Sequence, residues 1–160
     1  MKATNSQTSS ETLKEKEQIS GCLVFRNNML TQKKELLIIF REWTNGESAY
    51  IFPQGHVKQG ESLDMAAIRE TREETGYKVE IVKFLESFDR VRRNGKEKTV
   101  HTYLALTTQD SPDKLILTEK EKQSKNTFYW MPPDEAIELC PLNDEKRLIQ
   151  KAITILEHEE

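Results

Sequence analysis

The sequence predicts an α/β sandwich built around a mixed β-sheet. Short β-type apolar runs alternate along the chain with two or three helical stretches, the arrangement that lets helices cover both faces of a sheet. The length of 160 residues fits one domain with a sizeable buried core, and no internal repeat divides it.

In chain order, residues 1–18 are mostly Ser, Thr, Lys, Glu and Gln with almost nothing to bury. They read as a polar tail whose removal should change little, leaving residues 19–160 as the domain. Residues 19–25 form a strand candidate, closed by a turn at Asn27-Asn28. Residues 35–41 are a continuous apolar run, which suits a strand covered on both faces. A shorter strand over 48–52 stops at Pro53, and 55–62 reads as a loop. Residues 63–75 are expected to be helical, with Ser62 as N-cap and Gly76 as C-cap. Strands over 79–91 and 99–107 flank Asn94-Gly95, a strong hairpin signal. Residues 128–130 make a further strand. A short helix over 134–140 and a longer one over 143–158 follow, the latter carrying Leu148, Ile149, Ile153, Ile155 and Leu156.

Composition removes several function classes. The net charge of −3 argues against a general electrostatic grip on nucleic acid or anionic lipid. Cys22 and Cys140 are too far apart for a zinc pattern or a disulfide framework, and their apolar neighbours mark them as small core residues. No stretch approaches the roughly 18 apolar residues of a membrane span. The N-terminus has no apolar core of a signal peptide, and Glu11, Glu15 and Glu17 spoil a transit peptide. The expectation is a reducing, cytoplasmic setting and a monomer or homodimer with no membrane partner.

The chemistry is concentrated in residues 55–77. Arg69, Glu70, Arg72, Glu73 and Glu74 crowd into about one and a half turns. At roughly 100° per residue, Glu73, Glu70 and Glu74 share an arc of about 100° on one side. Glu70 and Glu74 are like charges four apart and repel. On this reading Glu74→Gln relieves a repulsion and leaves the fold standing while turnover falls. A divalent cation offsets the repulsion far better than solvent does, and carboxylate with carbonyl oxygens is the donor set a hard cation prefers. A solvated face of i,i+4 ion pairs, Arg69 with Glu73 among them, is the plain alternative. The flanking loop shifts the weighing toward a cation. Gly55 and Gly60 bracket Glu61, the permissive backbone needed by a loop that folds back to offer a carbonyl ligand.

The segment resembles the Nudix box. Gly55, five residues, Glu61, seven residues, then Arg69-Glu70, Glu73-Glu74 and Gly76 match its spacing, with Thr71 and Tyr77 where aliphatic side chains are usual. The resemblance implies a Nudix-type α/β/α sandwich and a pyrophosphohydrolase with bound magnesium or manganese. It implies metal ligation by Glu70, Glu73, Glu74 and the carbonyl of Gly55, and catalytic roles for Glu70, Arg69 and Glu73. On that resemblance Glu70, or a nearby glutamate, would orient or deprotonate the attacking water, and Arg69 would fix a carboxylate rotamer. Glu61 is expected to anchor the loop to the helix. A further glutamate from a later loop is common in the family; Glu119 and Glu121 lie where such a residue could sit, with Glu121 taken as the ligand and ordinary loop charge as the alternative.

The approach to the box narrows the substrate. Phe52-Pro53-Gln54-Gly55-His56 is similar to the stretch leading into the loop in dinucleoside polyphosphate hydrolases and RNA 5′-pyrophosphohydrolases, and the continuation through Val57 is closer to the diadenosine group. Lys98 matches a phosphate-binding lysine of that group. The tyrosine expected four residues later is Thr102, with Tyr103 beside it. Gln54, His56, Lys98 and Tyr103 are therefore the candidate substrate contacts. The resemblance implies cleavage of diadenosine tetraphosphate to ATP and AMP. The alternatives are RNA 5′ ends or nucleoside triphosphates as substrate, and, from another class, a weakly catalytic nucleotide-binding module.

Overall fold

The computed structural model describes residues 16–92, 94–115 and 124–158. Alternation along the central strand explains its place in the sheet. In β1 (Glu17–Asn27), Ile19, Leu23 and Phe25 enter one buried cluster while Cys22 and Val24 enter another. A strand that is apolar on both faces is stable only with a layer on each side. β2 (Lys34–Trp43) divides in the same way, Leu36 and Ile38 to the first cluster and Leu37 to the second.

Among the described residues the sheet has seven strands: β1, β2, β3 (Ser48–Ile51), β4 (Gln54–His56), β5 (Glu80–Val91), β6 (Glu97–Leu106) and β7 (Ser124–Met131). β1 lies parallel to β6, which pairs antiparallel with β5. The other edge of β1 is shared: β4 pairs with residues 19–21 and β2 with residues 25–27. β3 and β7 both pair with β2. The box helix α1 (Leu63–Thr75) places Ala67 in the second cluster; α2 (Pro133–Leu139) and α3 (Asn143–His158) pack into the first. Helices on both faces of a mixed sheet make the predicted α/β/α sandwich. No helix among the described residues is long and apolar enough to cross a membrane.

The differences from the sequence reading are local. β1 starts at Glu17 rather than Ile19, so its first two residues come from the expected tail. Residues 54–56, read in part as loop, form β4, because Pro53 stops β3 and the chain then re-enters the sheet against β1. Ser62 occupies the N-cap position, but its hydroxyl makes no capping bond. Gly76 closes α1 in the left-handed region, φ 82°, as the C-cap reading requires.

Gly21 sits where β4 joins β1. A Cβ there would lie 2.3 Å from the Pro53 carbonyl oxygen and 2.6 Å from Gln54 Cβ. The carbonyl is backbone and also accepts Cys22 N–H at 3.1 Å, so it has little freedom to yield. Gly21→Ala is expected to lower stability by about 1–3 kcal/mol, as overpacking does. Thermal unfolding checks this, and an unchanged midpoint would show that β4 is not fixed to β1 as described.

Candidate active site

Arg69 is the hub of the site. Its Nε donates to Glu61 Oε2 (2.8 Å) and its Nη2 to Glu61 Oε1 (3.0 Å), a bidentate clamp. Nη1 donates to Glu70 Oε1 (2.8 Å) and Glu73 Oε2 (3.1 Å), and Nη2 also reaches the His56 carbonyl (2.8 Å). One guanidinium thus ties the loop, β4 and two box carboxylates together. Glu61 also accepts Lys58 N–H at 3.0 Å, and its bonds to Arg69 hold its carboxyl down to about 2. The lowered value means that Glu61 stabilises the fold above the usual carboxylate range, and that this contribution is lost as pH falls toward 2.

Glu74 is treated differently. It is buried, its Oε1 accepts Gln54 N–H at 2.8 Å, and its Oε2 accepts Arg41 Nη2. The like charge of Glu70 is therefore offset locally, and Glu74→Gln does not simply relieve a repulsion as the bare sequence suggests. It would take away the carboxylate that Arg41 Nη2 binds and leave Arg41 the more distant charge of Glu70. Gly55 lies against Glu70: a Cβ at residue 55 would sit 2.2 Å from Glu70 Cδ. Only glycine leaves room there for the carboxylate beside the backbone.

The donor set suits a hard cation: glutamate oxygens on one side of α1 and, across from them, the backbone of Gly55. As the side chains stand, no group of three acidic, His or Cys side chains among the described residues is close enough to hold a metal. Arg69 and Arg41 occupy the carboxylates instead. Glu119 and Glu121 lie outside the described residues.

A second cluster lies on the sheet face covered by α3. Lys98 is side by side with Glu17 of β1 and Arg90 of β5. Arg92 Nη2 lies 3.0 Å from Glu17 Oε2, and His56 Nε2 lies 3.5 Å from the same oxygen. Arg90 Nη1 approaches Glu145 Oε1 at 3.7 Å, and Glu145, at the start of α3, is 1% exposed. Burial raises the Glu145 carboxyl above its usual range. Lys98 is lowered to about 8, first by burial and then by Arg92 and Arg90. His56 joins the two clusters, its carbonyl to Arg69 and its ring to Glu17.

A model of the NUDIX domain matches residues 17–152. The chain belongs to the Nudix hydrolase family. This Nudix chain is 30% identical to the asymmetrical bis(5′-nucleosyl)-tetraphosphatase of Sus scrofa over 136 residues, covering 82% of the chain and 89% of that protein. It is 35% identical over 77 residues to an RNA pyrophosphohydrolase of Psychromonas ingrahamii, covering 48% of the chain but 39% of that protein. Its fold matches a C. elegans Ap4A hydrolase binary complex with a TM-score of 0.73 at 24% identity, over 89% of this chain and 98% of that one.

The two unusual residues of the Nudix box are accounted for by packing. Thr71 Oγ1 donates to the Ala67 carbonyl at 2.8 Å within α1. Tyr77 is buried, edge-on to Phe128 and Trp130, and its hydroxyl accepts Trp130 Nε1–H at 3.0 Å. Of the candidate substrate contacts, His56 and Lys98 meet around Glu17. Tyr103 does not join them, because an odd separation puts it on the opposite face of β6, edge-on to Phe84 at 5.4 Å. Thr102, on the Lys98 face, is fully buried and donates to the Glu86 carbonyl at 2.7 Å. Gln54 touches the box through its backbone N–H. Arg41, Glu17 and Glu145, which the structure brings into these clusters, do not stand out in the sequence as candidates. For Arg41 the signal was a cation closing the apolar run 36–40.

Proposed function

We propose that this Nudix hydrolase is a magnesium- or manganese-dependent pyrophosphohydrolase that cleaves dinucleoside polyphosphates, diadenosine tetraphosphate giving ATP and AMP. The observation that carries the substrate class is the extent of the likeness. The tetraphosphatase relative is matched over 89% of its length, whereas the RNA pyrophosphohydrolase is matched over 39%. The local likeness to the second relative favours one alternative, removal of pyrophosphate from 5′-triphosphorylated RNA.

Glu70, Glu73, Glu74 and the Gly55 carbonyl would hold the cation, with Glu121 as a further candidate. Bound there, a divalent metal neutralises phosphate charge and acidifies water. Glu70 orients the attacking water and accepts its proton. Arg69 holds Glu70 and Glu73 in one rotamer each, which limits reorganisation during the reaction. Lys98 and His56, with Arg92 beside them, take the phosphate chain away from the scissile bond. Four buried side-chain atoms of this cluster have no hydrogen-bond partner among the described residues: Arg90 Nη2 and Arg92 Nε, which suit an anion, and Glu17 Oε2 and Glu145 Oε2, which repel one.

Lys98 gives the reading a pH signature. With its ammonium lowered to about 8, phosphate attraction is present below that value and fades as pH rises through it. KM for diadenosine tetraphosphate is expected to rise several-fold between about pH 7 and about pH 9, and Lys98→Arg, which stays charged, should flatten the rise. A KM in the wild type that does not change over this range would remove Lys98 from the substrate site.

The substrate is tested by a hydrolysis panel with magnesium or manganese: diadenosine polyphosphates, nucleoside triphosphates, a 5′-triphosphate RNA and ADP-ribose. The highest kcat/KM on diadenosine tetraphosphate supports the proposal, and a preference for the RNA replaces it with the alternative.

A further inference from the structure

Arg69 serves Glu61, Glu70 and Glu73, while the fourth carboxylate of the box has an arginine of its own. Arg41 reaches Glu74 from β2, on the side of the strand shared by Leu37 and Ile39, which faces α1. The pair is shielded, with side-chain exposures of 19% for Arg41 and 6% for Glu74. Arg41 is fixed at its root, because Nε donates at 2.9 Å to Oδ1 of Asn126, its direct partner across β2 and β7. Its far end, Nη2, binds Glu74 Oε2, while Glu74 Oε1 is taken by Gln54 N–H. Both oxygens of Glu74 are thus in use.

A divalent cation bound to Glu74 has to contend with that arrangement. Metal–oxygen distances of about 2.1 Å would bring the ion and the guanidinium against the same shielded carboxylate. Two cations so close repel strongly where water is excluded. Without any cation, a buried Glu74 would be an uncompensated charge, which destabilises a fold far more than a surface charge does.

We propose that Arg41 is a resident counter-cation that competes with the divalent metal for Glu74, keeping the metal-free enzyme folded and setting how tightly metal is held. The inference rests on the reading of the box as a metal site. It assigns Arg41 a positioning role distinct from that of Arg69: Arg69 organises the carboxylates, and Arg41 holds the place that the metal takes. Arg41 Nη2 would yield Glu74 Oε2 to the metal, with Nε still anchored on Asn126.

The test is an equilibrium titration with Mn2+, reading free Mn2+ by electron paramagnetic resonance, together with thermal unfolding of the metal-free proteins. Arg41→Met is expected to bind Mn2+ at least about tenfold more tightly than wild type, a lower bound for releasing a shielded carboxylate from a competing charge. Its metal-free Tm should fall, and Mn2+ should raise that Tm by more than it raises the wild-type value. Arg41→Lys, which keeps the charge without the planar fork, should lie between the two and serves as the variant if Arg41→Met does not fold without metal. In a Glu74→Gln background, Arg41→Met should lose most of that gain, the remainder reporting the charge of Arg41 near Glu70. A lower Tm with unaltered or weaker Mn2+ binding in both Arg41 variants would show a merely structural contact and overturn the proposal. Wild-type protein that binds no Mn2+ would sink the metal-site reading itself, a separate outcome.

Discussion

Replacing Glu73 by Gln is expected to lower kcat by about 100-fold or more while leaving the unfolding midpoint almost unchanged. The two halves of this result have separate origins. Glu73 is the least shielded of the box carboxylates that bind an arginine, with 39% of its side chain exposed, and its bond to Arg69 at 3.1 Å is a partly solvated i,i+4 pair. Such pairs contribute about 0.3–0.5 kcal/mol. The charge matters far more to a bound cation, which needs anionic oxygens rather than an amide. Glu74→Gln is a poorer probe, since it also removes the carboxylate that Arg41 binds and mixes folding with function. Circular dichroism with steady-state kinetics separates the two effects. Near-normal turnover in folded Glu73→Gln would remove Glu73 from the proposed metal site.

Gly55→Ala is expected to do comparable damage by adding one methyl group. The new Cβ would lie 2.2–2.6 Å from Glu70 Cδ and both carboxylate oxygens. These atoms end a flexible side chain, so Glu70 can swing away and the fold survives. The position that Glu70 vacates is the one its proposed work on water requires. Arg69 loses its Glu70 partner in the same movement, since Nη1 bonds Glu70 Oε1 at 2.8 Å. A misplacement of about 1 Å is enough to cost roughly 100-fold in rate. Turnover measured with the folded variant checks this: unimpaired catalysis would mean that Glu70 need not lie against the Gly55 backbone.

Sequence carried the features whose causes are local. The box helix was legible from its spacing and from Gly76, because a left-handed closing residue leaves a direct mark on residue choice. The hairpin was legible from Asn94-Gly95, and Gly95 does take a positive φ of 81°. What stayed hidden depends on pairing between distant segments. β4 is three residues long, and nothing within it announces that Ile19 will lie beside His56. Arg41 meets Glu74 only because β2 passes α1, and a strand-end arginine looks like an ordinary surface charge. Glu145 reads as a first-turn acid suited to the helix dipole, yet it is buried against Arg90 because α3 starts over the sheet. The separation of Lys98 from Tyr103 was available in advance, since an odd spacing along a strand puts the two on opposite faces.

The most direct test of the central claim is to incubate the full chain with diadenosine tetraphosphate and magnesium, follow the products by chromatography, and repeat the incubation with excess chelator and with Glu73→Gln. ATP and AMP in equal amounts are expected from the wild type, and almost nothing in either control. Formation of two ADP, or turnover that survives the chelator, would contradict that claim.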